Sequence, residues 1–251
     1  MCIRDRVYSA LKGEDSQVSR GIREHYFPRT SGDSLPSDQV TLPVALADRM
    51  DMLSVAFSLK MIPSGSADPF ALRRMAQGVV QIVLGKQLPL GWKELSSLSV
   101  HILRDQQEFS DEPDILEKQL VDFLDQRERW YHQEKGFRHD LIDAVLKPTL
   151  GTPLNRLNFA STLSEDLNLP EFKKSVEAVV RAINITNKYA EESQAAKLEE
   201  ASLTHQAEQA LYQALEAMSL DSESSPQQYL KTLYQLESSI TAFFDGVMVM
   251  D

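Results

Sequence analysis

At 251 residues, with 42% hydrophobic and 25% charged residues, the chain has a soluble globular composition and room for one large or two ordinary domains. A formal net charge of -11 argues against indiscriminate nucleic-acid binding, DNA included, and the single cysteine, Cys2, excludes a disulfide framework or a cysteine-rich zinc site. No run of about 18 apolar residues offers a transmembrane span and MCIRDRVYSALKG has no apolar signal core, so a cytoplasmic location without a membrane partner is expected.

Helical periodicity is already under way at Val7, Ala10 and Leu11, with no cap before it. At the other end FFDGVMVMD stops on an apolar run without a turn. The chain therefore reads as a fragment cut at both ends, with MCIRDR a candidate non-native start. Asp15-Ser16 predicts the cap of a helix through Val18, Ile22, His25 and Tyr26 that ends before Pro28. PRTSGDSLPS is a loop by composition. TLPVALADRMDMLSVAFSL is apolar almost all round (Val44, Leu46, Ala47, Met50, Leu53, Val55, Ala56, Phe57), the pattern of a buried central helix.

Asp68 as N-cap and Pro69 as first residue predict a helix that turns Phe70, Met75, Val79, Ile82 and Val83 inward. After KQLPLG a helix from Trp92 to about Phe109 reaches the acidic joint SDEPD, where a domain boundary is expected near 110. Asp111 and Pro113 start a long helix that Gly136 can close, and RHDLIDAVLK is a shorter helix stopping at Pro148. A mixed stretch leads to helices near 170–190, 192–219 and 226–248, the last two split by DSESSP. No strand alternation or internal repeat occurs, so the expected fold class is all-α.

Few motifs carry chemistry. The five histidines lack HxH or HExxH spacing, and no GxSxG, GxxxxGK or GxGxxG is present. His139-Asp140 is better read as a polar pair in a first helical turn than as a metal signature. Asp48 and Asp51 share a face of an otherwise apolar helix, and buried carboxylates need partners. They read either as remnants of an HD-type phosphohydrolase metal site or as partners of an arginine from elsewhere, Arg29 or Arg73. Arg73 and Arg74 sit early in their helix, where the dipole disfavours cations. One is expected to bind Asp48 or Asp51 and the other to face solvent or RNA. On FKKSVEAVVRAINITNK, the residues Lys173, Lys174, Arg181, Asn184, Asn187 and Lys188 recur at helical spacing, with Val176, Val179, Val180 and Ile183 expected on the buried side. A basic-and-amide face can track an RNA backbone or read unstacked bases; the plainer alternative is a solvated face.

Several stretches together resemble one family: REHYFPRTSGDSLP (23–36), VALADRMDMLSVAFSL (44–59), IPSGSADPFALRRMAQGVVQI (62–82), GFRHDLIDAVL (136–146) and AFFDGVMVMD (242–251). They look like the β subunit of the bacterial-type heterotetrameric glycyl-tRNA synthetase, with details such as QVSRGIREHYFPR similar to cyanobacterial versions. The resemblance implies the C-terminal part of an HD-like helical domain over 1–110 and an incomplete DALR-type anticodon-binding domain over 111–251. It implies a tRNA-binding subunit of an α2β2 glycine–tRNA ligase whose α subunit holds the ATP- and Mg-using active site, leaving no catalytic residue, metal or cofactor in this chain. The partners implied are that α subunit and tRNA(Gly). Candidate tRNA-facing residues are Lys173, Lys174, Arg181, Asn184, Asn187, Lys188 and Arg74; Asp48, Asp51, Asp68, Pro69 and Arg73 are structural hallmarks. The stretch 147–170 matches the family pattern only loosely. The rival readings are an HD-type metal-dependent phosphohydrolase and a non-catalytic helical scaffold that docks on a partner subunit.

Overall fold

The computed structural model describes residues 2–106, 112–188, 202–218, 220 and 224–247. Among these the chain is all-α, as the periodicity predicts, and no strand is present. The helices are α1 (Cys2–Leu11), α2 (Ser16–Glu24), α3 (Thr41–Ser58), α4 (Leu72–Gly85), α5 (Trp92–Gln106), α6 (Pro113–Glu134), α7 (His139–Val145), α8 (Pro153–Asp166), α9 (Pro170–Lys188), α10 (Gln206–Glu216) and α11 (Pro226–Gly246). Proline opens α6, α8, α9 and α11, where its missing N–H costs nothing and its fixed φ suits the first turn.

Local signals place most boundaries. The Asp15 carboxylate accepts from Gln17 N at 2.8 Å and starts α2, though that helix ends at Glu24 and leaves Val18 and Tyr26 exposed. At the end of α6, Gly136 takes φ +84°, its N–H reaches Gln133 O at 2.9 Å, and Phe137 N reaches His132 O at 3.3 Å. That is a Schellman closure, which a left-handed glycine makes without strain. The α6 start rests on Pro113, since Glu112 makes no side-chain cap and Asp111 lies outside the described residues.

The start of α4 differs from expectation. The helix begins at Leu72, with Ala71 in the left-handed region as N-cap, and Pro69 stands in the turn that Ala71 N closes onto Asp68 O at 3.1 Å. Asp68 still performs the capping chemistry from three residues upstream. Its carboxylate accepts from Leu72 N (2.8 Å) and Arg73 N (3.1 Å), two N–H groups that the helix leaves without partners. Phe70, expected inward, belongs to this turn and is exposed.

The chain divides into two compact units, Met1–Ala160 and Ser161–Asp251. In the first, α3 packs against α4, α5 and α6, and one apolar core runs through Leu53, Phe57, Val79, Ile82, Leu103, Leu116, Leu120 and Leu124. This confirms α3 as a central helix, although Val44 and Met52 remain on its exposed side. The unit continues well past the joint expected near 110, because α6 supplies a wall of this same core and Arg156 reaches back to it from α8. The second unit is smaller: α9 and α10 each pack on α11 around Ala178, Leu236 and Ile240. Of the helix expected over 192–219, residues 192–201 and 219 lie outside the described residues, and within 202–218 it is the shorter α10, which opens on a His205–Glu208 capping box.

Candidate nucleic-acid interface

Helix α9 packs through small residues. Ser175 and Ala178 are buried, Ala178 joins Leu236 and Ile240 in the core, and Ser175 Oγ turns back to donate to Glu171 O at 2.9 Å. Lys173, Lys174, Arg181, Asn184 and Asn187 are all exposed; at 100° per residue Lys173, Asn184 and Asn187 point away from Ser175 and Ala178, while Lys174 and Arg181 flank Ala178 on the side that meets α11. The structure thus leaves all five exposed, two at the groove beside α11 and three on the outer side of α9. Lys188 is the last residue of the helix, and its side chain is outside the description.

The apolar residues of α9 lie elsewhere than expected. Val176, Val180 and Ile183, expected to be buried, are 37–49% exposed and lie beside the basic residues; of the predicted set only Val179 packs on the core. The small Ala178 is the α9 residue buried with Leu236 and Ile240 of α11, and the larger β-branched residues Val176, Val180 and Ile183 are turned outward. Arg181 places its guanidinium 4.4 Å from the Phe244 ring centroid, a cation–π contact that orients it at the mouth of a groove of about 340 Å3. Lys174 lines the same groove, and so do Glu177 and Glu237, which temper its positive charge. Cations, amides and exposed aliphatics thus lie side by side along the exposed side of α9, with Glu177 among them.

The hallmark residues of the first unit behave differently from expectation. Asp48 and Asp51 are exposed rather than buried. Neither pairs with Arg29 or Arg73: Arg29 Nε is held by Asp33 at 3.0 Å, and Arg73 donates to Gly65 O at 2.8 Å. The buried charge in ADRMD is the arginine between the two acids. Arg49 is 6% exposed and donates to the carbonyls of Ala45, His25, Tyr26, Phe27 and Pro28 at 2.8–3.2 Å, tying the end of α2 and the following turn to α3. Burial lowers its pKa while neighbouring Asp48 raises it. Gly78 of α4 makes room for this side chain, since a Cβ there would stand 2.6 Å from Arg49 Nε. Arg74 is exposed and lines a cleft with Arg6, Arg23 and Arg29. Among the described residues no group of three or more His, Cys, Asp or Glu side chains converges on a point that could hold a metal.

A second polar centre was not expected from the sequence. Glu128 is fully buried on the apolar side of α6, where it accepts from Trp92 Nε1 at 2.6 Å and from Arg156 Nε at 2.9 Å and Nη2 at 2.5 Å. Arg156 Nη2 also reaches Asp125 at 3.2 Å, and His132 Nε2 lies 3.5 Å from Glu128 Oε1. Burial drives the Glu128 carboxyl up, but His132, Arg156 and Trp92 together outweigh it and hold the pKa below its ordinary value. The signal available was Glu128 standing four residues after Leu124 on the apolar stripe of α6. Its partner Arg156 comes from the mixed stretch, where nothing marked a helix.

Comparison with known proteins agrees with this architecture. A family model described as glycyl-tRNA synthetase beta subunit matches residues 3–147, and one described as DALR anticodon binding domain matches residues 176–251. The first span lies within the first compact unit and the second within the other; α8 falls between them. The glycine–tRNA ligase beta subunit of Halalkalibacterium halodurans is 40% identical over 72% of this chain and 26% of its own length. Those of Bacillus subtilis and Acinetobacter baumannii are each 33% identical over 99% of this chain, covering 35% and 36% of theirs. The chain therefore spans between about a quarter and a third of the relatives it matches. On this evidence it belongs to the glycyl-tRNA synthetase beta subunit family.

Proposed function

We propose that this chain is the tRNA-binding portion of the β subunit of a glycine–tRNA ligase, and that α9 meets the tRNA. The observation that carries this reading is the exposure along α9 of Lys173, Lys174, Arg181, Asn184 and Asn187, most of which lie in the segment matching an anticodon-binding domain. In this account the ligation chemistry, with ATP and Mg, belongs to the α subunit of a cytoplasmic α2β2 enzyme, and the β subunit holds tRNA(Gly) in place. In the complete enzyme, charge reversal at Lys174 and Arg181 should lower tRNA affinity about tenfold or more and flatten its salt dependence by about two phosphate contacts. Glycine-dependent ATP–pyrophosphate exchange should stay nearly intact. Unchanged tRNA affinity would remove α9 from the interface.

The exposed aliphatics Val176, Val180 and Ile183 favour one other reading, a scaffold face that docks on the α subunit. Loss of α-subunit retention, with tRNA affinity unaltered, in a Val176→Ser/Val180→Ser variant would support it.

A further inference from the structure

The cleft of the first unit that contains Arg74 is unusual for a chain of net charge -11. It measures about 680 Å3 and is lined by five arginines and one acid, drawn from α1, α2, the turn after it, α3 and α4. Arg49 is occupied by backbone carbonyls, and Arg29 by Asp33. Arg6, Arg23 and Arg74 form no ion pair among the described residues. Two of the guanidiniums are already oriented: Arg23 and Arg29 lie 5.9 and 5.0 Å from the Phe27 ring centroid. The turn that carries Phe27 is itself pinned by the buried Arg49. Crowding like charges around one cavity is unfavourable unless an anion offsets them, and Asp48 alone does not balance the set.

We propose that this cleft binds a phosphate mono- or diester, the anion of a nucleotide or of an RNA backbone, with Arg74 and Arg23 as its cationic ligands. Guanidiniums suit this role because their planar forks match phosphate oxygens two at a time. The apolar wall of Phe27, Pro28 and Met75 gives the attached nucleoside a surface to lie on. The site goes beyond the α9 reading and does not depend on it.

The test is a heteronuclear NMR titration of the 251-residue chain with guanosine 5′-monophosphate and, separately, with a short single-stranded RNA. Saturable shifts at the 71–75 amides and the Arg23 and Arg74 side chains are expected. Response to the mononucleotide identifies a free nucleotide as sufficient, and response to RNA alone identifies the backbone; both support the site. Arg23→Glu with Arg74→Glu should weaken binding about tenfold, and Asp48→Asn should tighten it about threefold, a gain that no folding defect can mimic. Lys174→Glu with Arg181→Glu should leave cleft binding unchanged, which separates this proposal from the α9 reading. Unaltered affinity in the Arg23/Arg74 variant, no tightening in Asp48→Asn, or equal binding of a poly-glutamate peptide would overturn it.

Discussion

Replacing Arg156 with methionine is expected to destabilise the first unit by about 3–5 kcal/mol, because the change leaves a buried carboxylate without its cation. Glu128 would keep only the Trp92 N–H and the long His132 contact. The pH dependence gives the effect a signature. In the intact protein the Glu128 pKa is depressed, so its contribution is present above the unfolded carboxyl pKa and fades as pH falls through the folded value. Without Arg156 the burial effect dominates and the folded pKa rises above the unfolded one. Protonation then relieves the buried charge, so the deficit should be largest near neutrality and shrink toward about pH 5. Adding Glu128→Gln to Arg156→Met should recover much of the loss. Both tryptophans, Trp92 and Trp130, lie in the first unit, so urea unfolding followed by their fluorescence reads that unit alone. A deficit below about 1 kcal/mol, or one that does not change with pH, would show that the network is not a paired buried charge.

Arg49→Met should cost a similar amount, about 3–5 kcal/mol, by stripping the donors from four successive carbonyls at 25–28 and from Ala45. Gly78→Ala provides the sharper sign. Inside a helix alanine is ordinarily favoured over glycine by about 1 kcal/mol. Here the added Cβ would meet Arg49 Nε at 2.6 Å and Cδ at 3.2 Å, and the guanidinium beyond them is held by five carbonyls and cannot swing aside. A net destabilisation of about 1–3 kcal/mol is therefore expected. The two changes should be strongly non-additive, since the added methyl group fits once the side chain at 49 is shortened. Stabilisation by Gly78→Ala would mean that the arginine has room to move.

What the sequence made legible was local. Asp15, Pro113 and Gly136 act through their own backbone and mark helix ends where expected, whereas the Asp68-Pro69 signal caps a helix that begins only at Leu72. The all-round apolar pattern of 41–59 likewise identified the central helix. Three things were not legible, each because a distant partner decides it. Asp48 and Asp51 stand out as acids on an apolar helix, yet the buried polar residue is Arg49, whose partners come from 21–24 residues away. Glu128 and Arg156 find each other across 28 residues, and Arg156 lies on a helix that the mixed composition of 147–170 concealed. On α9 the basic and amide residues are exposed, but Val176, Val180 and Ile183 lie beside them rather than on a buried opposite face. Periodicity identifies a face; it does not reveal that a helix packs through its small residues. Among the candidate contacts, Arg74 stands out in the sequence as one to face RNA, whereas the arginines that surround it are assembled only by the fold.

The claim at the centre of this account is that α9 lies against tRNA in the complete enzyme. Ultraviolet cross-linking of tRNA(Gly) to that enzyme, with the linked peptides mapped by mass spectrometry, addresses it directly. The account expects cross-linked residues within 170–188, suppressed by charge reversal at Lys174 and Arg181. Efficient cross-linking elsewhere in the enzyme, with none between 161 and 247, would contradict it.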